Sequence, residues 1–443
     1  MKKLLMISYQ FPPDTGSIQR ILNFIKYLPG HGWSPIILTH KTEKLESDSI
    51  DIEFLNKGID VYRTGKVFNF SKKIVKKIDN TSLKYTKTSK INVFKHFLLK
   101  KIKKVLKIIS NFLIWPDTFA WWIPFALMKA IKIIKKEKIT TVYIVTPPHS
   151  ASIIGYFLKK LFNIKLVIDF RDPWANDVDI VMPTAFHSSC HRFAEKLVSK
   201  SSNSIITTTD FHSKYFNEKV LYNSLTKAHT ITNGIDLQNF KPKYSNQLND
   251  FTIIHAGNFD LTRNPTAFFK AISNINYKYP EIFKHHSIKF FGNFNPIVEE
   301  KIKILGLSGI IHQYGLLNYE KVIDEISNAS LLLLVVHNDA NTPKFCIPAK
   351  LFEYMATGRS ILSISPPGAA SEIIEKHHLG ETFEHSNIKG IEQSIIKSYN
   401  LFKIGKLKVK LPNPEILNKY DRKELTKELA SILNDCTNLA DTK

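Results

Sequence analysis

Lys3-Leu-Leu-Met-Ile-Ser-Tyr9, Gln10-Phe-Pro-Pro-Asp-Thr-Gly16-Ser17, Ile18-Gln-Arg-Ile-Leu-Asn-Phe-Ile-Lys-Tyr-Leu28 and Pro35-Ile-Ile-Leu-Thr39 read in turn as strand, loop, helix and strand. The first run is continuously apolar, as a strand buried on both faces requires. Residues Ile18, Ile21, Leu22, Ile25 and Leu28 recur at helical spacing and predict one inward face. This is a βαβ opening, and it sets the class of the chain as α/β. The start has two lysines and a short apolar run. It meets Gln10 and Pro12-Pro13 without a small-residue cleavage pattern, so a buried first strand is expected and not a signal peptide.

The alternation continues. Thr140 to Val145 and Lys165 to Phe170 read as later strands, each ending in polar residues where a parallel sheet places its ligand crevice. A second cycle opens at Phe251-Thr-Ile-Ile-His-Ala-Gly257, loops through Arg263-Asn-Pro265, and enters a helix at Thr266. Further strands are expected at 287–291, 309–314, 331–336 and 360–363. The 443 residues exceed one ordinary core and suit two doubly wound, Rossmann-like domains facing a cleft. The expected divisions are 1–240, 241–412 and a helical tail over 413–443 that packs back toward the first domain.

Composition narrows the classes. Hydrophobic residues make up 43% and charged residues 23%, as in a globular chain. Cys190, Cys346 and Cys436 have no metal-ligand or redox spacing and are expected as free thiols in a reducing compartment. No apolar run is long enough to span a bilayer, so a cytoplasmic location is expected. The formal charge of +23 is concentrated between Lys66 and Lys138, where about twenty lysines face three acids. Within it, Phe94, Leu98, Ile102, Val105 and Ile109 share one helical stripe, opposite Lys100, Lys103, Lys104 and Lys107. Trp115, Trp121 and Trp122 follow. The bland reading is a domain-packing helix with a solvated lysine face. The sharper one is a surface for anionic lipid, with the aromatics at headgroup level. No helix-turn-helix, zinc or RNP-type pattern specifies nucleic acid.

Pro348-Ala-Lys350-Leu-Phe-Glu353-Tyr-Met-Ala-Thr-Gly358 carries the chemistry. Pro348 suits a first helical position, so backbone N–H groups, the dipole's positive end and the Lys350 ammonium would face one anion. Glu353, three residues on, shares that face and would accept hydrogen bonds from hydroxyls of the same ligand. The plainer alternative is a solvated intrahelical ion pair.

Taken with Phe11 to Arg20, Pro147-Pro-His149-Ser, Asp169-Phe-Arg-Asp172-Pro-Trp174, Asn233-Gly-Ile-Asp236 with Phe240-Lys-Pro242, and Gly257 with Arg263, the segment from Pro348 to Gly358 resembles group 1 glycosyltransferases. These are the bacterial members of the glycogen-synthase-like superfamily with the GT-B fold, of the polysaccharide and lipopolysaccharide type. The resemblance spans nearly the whole chain. It implies transfer of a sugar from a nucleotide-diphosphate-sugar to a glycan or polyprenyl-linked acceptor, with retention, no metal and no cofactor.

The resemblance places Gly16, Ser17, Gly257, Arg263, Lys350, Leu351 and Glu353 at the donor. Arg263 and Lys350 would hold the pyrophosphate, and Glu353 the ribose. It places His149 near the transferred sugar, as a catalytic candidate with Arg263 and Lys350, and His149, Arg171 and Asp172 on the acceptor side. Asp169 reads equally as half of a structural Arg/Asp pair. Asp177-Val-Asp179 matches a metal motif of another fold only by chance.

The chain departs from the pattern at Phe345, where many members have a second glutamate. Thr342-Pro-Lys344-Phe-Cys-Ile-Pro348 resembles a proline-lysine version of the motif. Two other classes share the expected fold: sugar-nucleotide 2-epimerases, and non-catalytic members that bind lipid or glycan. A peripheral position at the inner face of the cytoplasmic membrane follows from the lipid reading.

Overall fold

The computed structural model describes residues 1–12, 18–42, 54, 56–65, 115–176, 182, 184–245, 248–259, 263–284, 287–339 and 342–438. Gly16, Ser17, the helix expected over 94–109 and the Asp177-Val-Asp179 motif lie outside the described residues.

Two compact units make up the chain. The first comprises Met1–Thr207, Ser213–His229 and Ala430–Lys443; the second comprises Thr208–His212 and Thr230–Leu429. The division at 229/230 precedes the hinge expected near 240.

In the first unit the strands are β1 (Lys2–Ser8), β2 (Trp33–His40), β3 (Asp60–Thr64), β4 (Thr141–Thr146), β5 (Lys165–Phe170), β6 (Ser204–Thr207) and β7 (Lys227–Thr230). They form one sheet in the order β3-β2-β1-β4-β5-β6-β7. All the pairings recorded among β1 to β6 are parallel. The helices used below are α1 (Gln19–Tyr27), α2 (Ile123–Glu137), α3 (Ser150–Leu161) and α4 (Ala185–Ser201). Helix α1 gives way to a 3₁₀ turn at Leu28–His31, because Pro29 cannot continue the ladder. Gly32 closes that turn at φ +83, donating its N–H to the carbonyls of Leu28 and Pro29. That cap returns the chain directly into β2.

The apolar runs read from the sequence are the sheet's core. Leu5, Ile7, Val142, Ile144, Leu166 and Ile168 are fully buried in one cluster, each side chain contributing about 1.5–3 kcal/mol. Trp122 belongs there as well. It is fully buried and donates its indole N–H to the Thr64 carbonyl at 3.1 Å. This corrects the headgroup reading for Trp122, which is core; Trp121 packs partly buried against the same cluster, and Trp115 is exposed.

The second unit holds β8 (Thr252–Ala256), β9 (Ser287–Phe291), β10 (Ile311–Gln313), β11 (Leu331–Val335), β12 (Ile361–Ile364) and β13 (Gly380–Phe383). Their order is β10-β9-β8-β11-β12-β13, again with parallel pairings. Its helices include α5 (Thr266–Lys278), α6 (Pro296–Ile304), α7 (Tyr319–Ser327), α8 (Lys350–Thr357), α9 (Ala369–Lys376) and α10 (Ile388–Lys403). The final stretch, expected as one helix over 414–433, is a short helix at Pro414–Lys419 followed by α11 (Arg422–Asn438), whose residues from Ala430 onward belong to the first unit.

Both sheets reverse their winding once, between β1 and β4 and between β8 and β11. At such a reversal the loops leaving neighbouring strands diverge and open a crevice at the carboxyl ends. Residues following β1, β4, β8 and β11 are therefore the ones the fold offers to a ligand. Among the described residues no helix is long and apolar enough to cross a membrane.

Candidate functional site

At the reversal of the second sheet, β8 ends in His255-Ala256-Gly257. His255 is fully buried, stacked on Phe259 with ring centroids 4.1 Å apart and planes 12° from parallel. Its Nδ1 lies 2.9 Å from the Leu333 carbonyl of β11, and its Nε2 lies 3.4 Å from Lys350 Nζ. A carbonyl only accepts, so Nδ1 carries the proton and Nε2 presents its lone pair to the ammonium. The imidazole thus ties the two strands together and holds Lys350 at the crevice.

Gly257 completes this arrangement. Its φ of +144 lies outside the range comfortable for other residues, and a Cβ there would collide with Lys350 Nζ. A Cβ on Gly292 would likewise sit 2.5 Å from the Gly257 carbonyl oxygen. The bare Cα of Gly257 makes room for the lysine, and that of Gly292 for the Gly257 backbone. On the facing side, Tyr354 is fully buried, and its hydroxyl accepts the Ala256 N–H at 2.9 Å. Helix α8 is thereby locked to the end of β8.

Helix α8 starts at Lys350, two residues later than Pro348 would place it. The N–H groups of Leu351 and Phe352 donate to the carbonyls of Pro348 and Ala349 at 3.0 and 3.2 Å. The anion-facing character of this end therefore rests on the ammonium and the dipole, not on those two amides. Leu351 is fully buried in the core, which leaves its side chain nothing to offer a ligand.

Glu353 lies one turn along α8, half-buried. Burial raises its carboxyl above the ordinary value, opposed by the Arg422 guanidinium, a hydrogen bond from Tyr319 and the Lys350 ammonium. Arg422 is itself anchored, its Nε donating to the Gly234 carbonyl at 2.8 Å. A carboxylate has about four lone-pair directions, so the Tyr319 hydroxyl leaves capacity for a diol. Arg263 stands across the same reversal, donating from Nε to His337 Nε2 at 3.2 Å. The second unit thus brings Gly257, Arg263, Lys350 and Glu353 to one crevice, and adds His255, Tyr319 and Arg422. His255 lies inside an apolar strand run, where its spacing carries no signal. Tyr319 and Arg422 come from distant segments.

Phe345 is turned away from this chemistry. It is buried, edge-on to Phe211 and His212 at 5.0 and 5.2 Å. The Thr208 and Thr209 hydroxyls donate to the backbone carbonyls of Phe345 and Lys344 at 3.4 and 3.1 Å. The side chain serves as a wedge.

In the first unit, His149 caps α3 at the end of β4 and is 1% exposed, stacked 5.2 Å from Trp174 with planes 2° apart. Its ring is packed inside the unit between Phe170 and Trp174, which leaves it little surface to offer a substrate. Asp169 is structural: fully buried, it takes Arg20 Nε at 2.7 Å, Nη2 at 3.3 Å and the Tyr143 hydroxyl at 2.5 Å. Arg171 and Asp172 follow it half-exposed, with Arg171 Nε on the Thr146 carbonyl at 3.2 Å. Among the described residues no group of three or more His, Cys, Asp or Glu is placed to hold a metal.

The His255 ring gives a pH prediction. Burial first, then Lys350 and Arg263, hold it well below the ordinary imidazole value, against the opposing Leu333 hydrogen bond. The unfolded ring takes a proton below about pH 6.5 while the folded ring stays neutral, so stability is full above that pH and falls beneath it, by up to ~1.4 kcal/mol per pH unit. Urea unfolding between about pH 7.5 and 5.5 should show a shallower loss in His255→Gln than in the wild type, the difference isolating this ring from other histidines.

No protein-family model matches the chain, and no curated protein matches it in sequence. Solved structures do. Sucrose-phosphate synthase from Thermosynechococcus elongatus superposes with a TM-score of 0.65 at 12% identity, covering 100% of this chain and 98% of that one. TarM from S. aureus, solved with Fondaparinux, alpha-GlcNAc-glycerol and UDP, gives 0.60 at 12% identity, covering 98% and 100%. UDP-GlcNAc 2-epimerase from Methanocaldococcus jannaschii gives 0.53 at 12% identity, covering 98% and 99%. At these identities the likeness is one of fold: the chain has the two-domain GT-B fold that the sequence resemblance implied.

Proposed function

We propose that the chain is a glycosyltransferase whose second unit holds a nucleotide-diphosphate-sugar at the β8/β11 reversal. The observation that carries this reading is the Lys350 ammonium, held by a neutral buried imidazole against the bare Cα of Gly257, with Glu353 one helical turn away. A fixed cation beside a half-buried carboxylate suits a ligand that is anionic at one end and carries vicinal hydroxyls at the other. Lys350 and Arg263 take the diphosphate, and Glu353 takes the ribose.

In transfer, the bond from the sugar's anomeric carbon to the diphosphate oxygen breaks as an acceptor hydroxyl bonds to that carbon, and the hydroxyl proton passes to the departing phosphate. Negative charge grows on the leaving oxygen, and fixed cations stabilise it there without a metal. Retention follows when the acceptor enters on the face the diphosphate leaves. Arg171 and Asp172 suit the acceptor side. The acceptor is a glycan or polyprenyl-linked glycan of cell-surface polysaccharide synthesis, such as lipopolysaccharide or capsule, met at the inner face of the cytoplasmic membrane.

Glu353→Gln keeps the shape of the site and removes the charge. Titration calorimetry with the matching nucleoside diphosphate should show affinity lower by about 10-fold to 100-fold, equivalent to ~1.5–3 kcal/mol for a hydrogen bond to a charged group. Equal affinity in wild type and variant would remove Glu353 from the site. The epimerase match in fold supports a second reading, in which the same site turns over its nucleotide sugar alone. Turnover that requires an added acceptor separates transfer from epimerisation.

A further inference from the structure

The loop that leaves β5 is an arch with two buried feet. At the first, Phe170 is fully buried, and Arg171 gives both its backbone N–H and its Nε to the Thr146 carbonyl, at 3.3 and 3.2 Å. At the second, Trp174 is fully buried and Ala175 nearly so. Between the feet Arg171 and Asp172 stand half-exposed, ahead of the buried Pro173.

Helix α4 holds the second foot from behind. His191 and Glu195 lie four residues apart on its inward face and are both buried. Trp174 donates its indole N–H to His191 Nδ1 at 2.9 Å, so that nitrogen is unprotonated and the neutral ring carries its proton on Nε2. Glu195 Oε1 accepts the Ala175 N–H at 3.1 Å, and Oε2 the Tyr215 hydroxyl at 3.4 Å. Burial raises the Glu195 carboxyl above its ordinary value, opposed by the Ala175 N–H, then by His149, the Tyr215 hydroxyl and the Trp174 N–H. An apolar side chain would pack α4 without that cost. What the carboxylate and the imidazole supply is a fixed position for the backbone next to Asp172.

We infer that His191 and Glu195 are positioning residues for the acceptor side: they set the arch that presents Arg171 and Asp172, an inference that rests on the transferase reading of those two residues. Protonated, His191 would donate from both nitrogens and turn a proton toward the indole N–H. The titratable groups that face it are His149 at the start of α3, Asp117 ahead of α2, and His187 one turn back on α4. Burial first, then His149 and His187, hold the ring below the ordinary imidazole value, with Asp117 opposing. The second foot is therefore intact above the ordinary imidazole range and is released as pH falls beneath it.

The test is hydrogen–deuterium exchange of the full chain, corrected for the intrinsic rate at each pH. In His191→Leu and in Glu195→Leu, the peptide over 171–176 should exchange about 10-fold to 100-fold faster than in wild type, with the β1 and β4 peptides unchanged. Wild type should approach His191→Leu between about pH 7.5 and 5, whereas His191→Asn, whose amide oxygen replaces Nδ1 and does not titrate, should stay protected throughout. With water as the acceptor, hydrolysis of UDP-, GDP- or dTDP-sugars should lose about tenfold in kcat at unchanged KM in His191→Leu and recover in His191→Asn. Exchange equal to wild type in both leucine variants overturns the inference, as does faster exchange in every peptide alike, which would reduce the two residues to stability. A loosened arch with kcat unchanged also overturns it, by taking Arg171 and Asp172 off the acceptor side. Wild type that binds none of UDP, GDP and dTDP overturns the donor reading instead, on which the exchange measurement does not depend.

Discussion

Lys350→Ala is expected to lower sugar transfer by about 10²–10³-fold, the range for removing one preorganised donor to a developing oxyanion. The expectation follows from how the ammonium is held. His255 accepts from it, Gly257 leaves space beside it, and Tyr354 fixes its helix to β8. None of this rearranges when the diphosphate departs, so the cation acts most strongly as charge builds. The loss should appear mainly in kcat, because an interaction that strengthens in the transition state contributes less to donor binding. A rise in KM alone, with kcat unchanged, would assign Lys350 to uniform binding. Lys350→Arg should restore little, since a planar guanidinium does not fit where an ammonium touches a bare Cα.

Arg20→Ala should destabilise the first unit by about 3–5 kcal/mol, the cost of leaving a buried charge uncompensated. Asp169 is fully buried at the end of β5, and Arg20 reaches it from α1 with two nitrogens. Among the described residues, Tyr143 would remain to the carboxylate. Removing both charges is different in kind: Arg20→Met with Asp169→Leu leaves no buried charge, only the Tyr143 hydroxyl without its acceptor, and should recover part of the loss. Urea denaturation of the two variants decides the matter. Equal destabilisation by the single and the double change would show that the pair contributes packing alone.

The central strands were legible because a strand buried on both faces must be largely apolar: β11, Leu331–Val335, is apolar and buried throughout and falls within the expected 331–336. Edge strands were not. Gly380-Glu-Thr-Phe383 is four partly exposed residues with neither alternation nor an apolar run, and it becomes a strand only by pairing with β12. The donor-side positions Gly257, Arg263, Lys350 and Glu353 could be named from local motifs. What surrounds them could not, since Arg422 and Tyr319 reach Glu353 from segments with no motif of their own. The Arg/Asp alternative for Asp169 was open from sequence. Its partner Arg20 lies 149 residues away, which no local spacing reveals. Trp122 misled for a related reason: an amphipathic ring that suits a headgroup also suits a core with one carbonyl to accept its N–H.

The most direct test of the donor site is a thermal-shift screen of the purified chain against UDP-, GDP-, dTDP- and CMP-sugars, with Lys350→Ala and Glu353→Ala alongside. The site described here predicts that one nucleoside-diphosphate series raises the melting temperature, that CMP-sugars, with a single phosphate, do not, and that both variants lose the shift. A chain that no diphosphate sugar stabilises, or whose stabilisation survives in both variants, would contradict it.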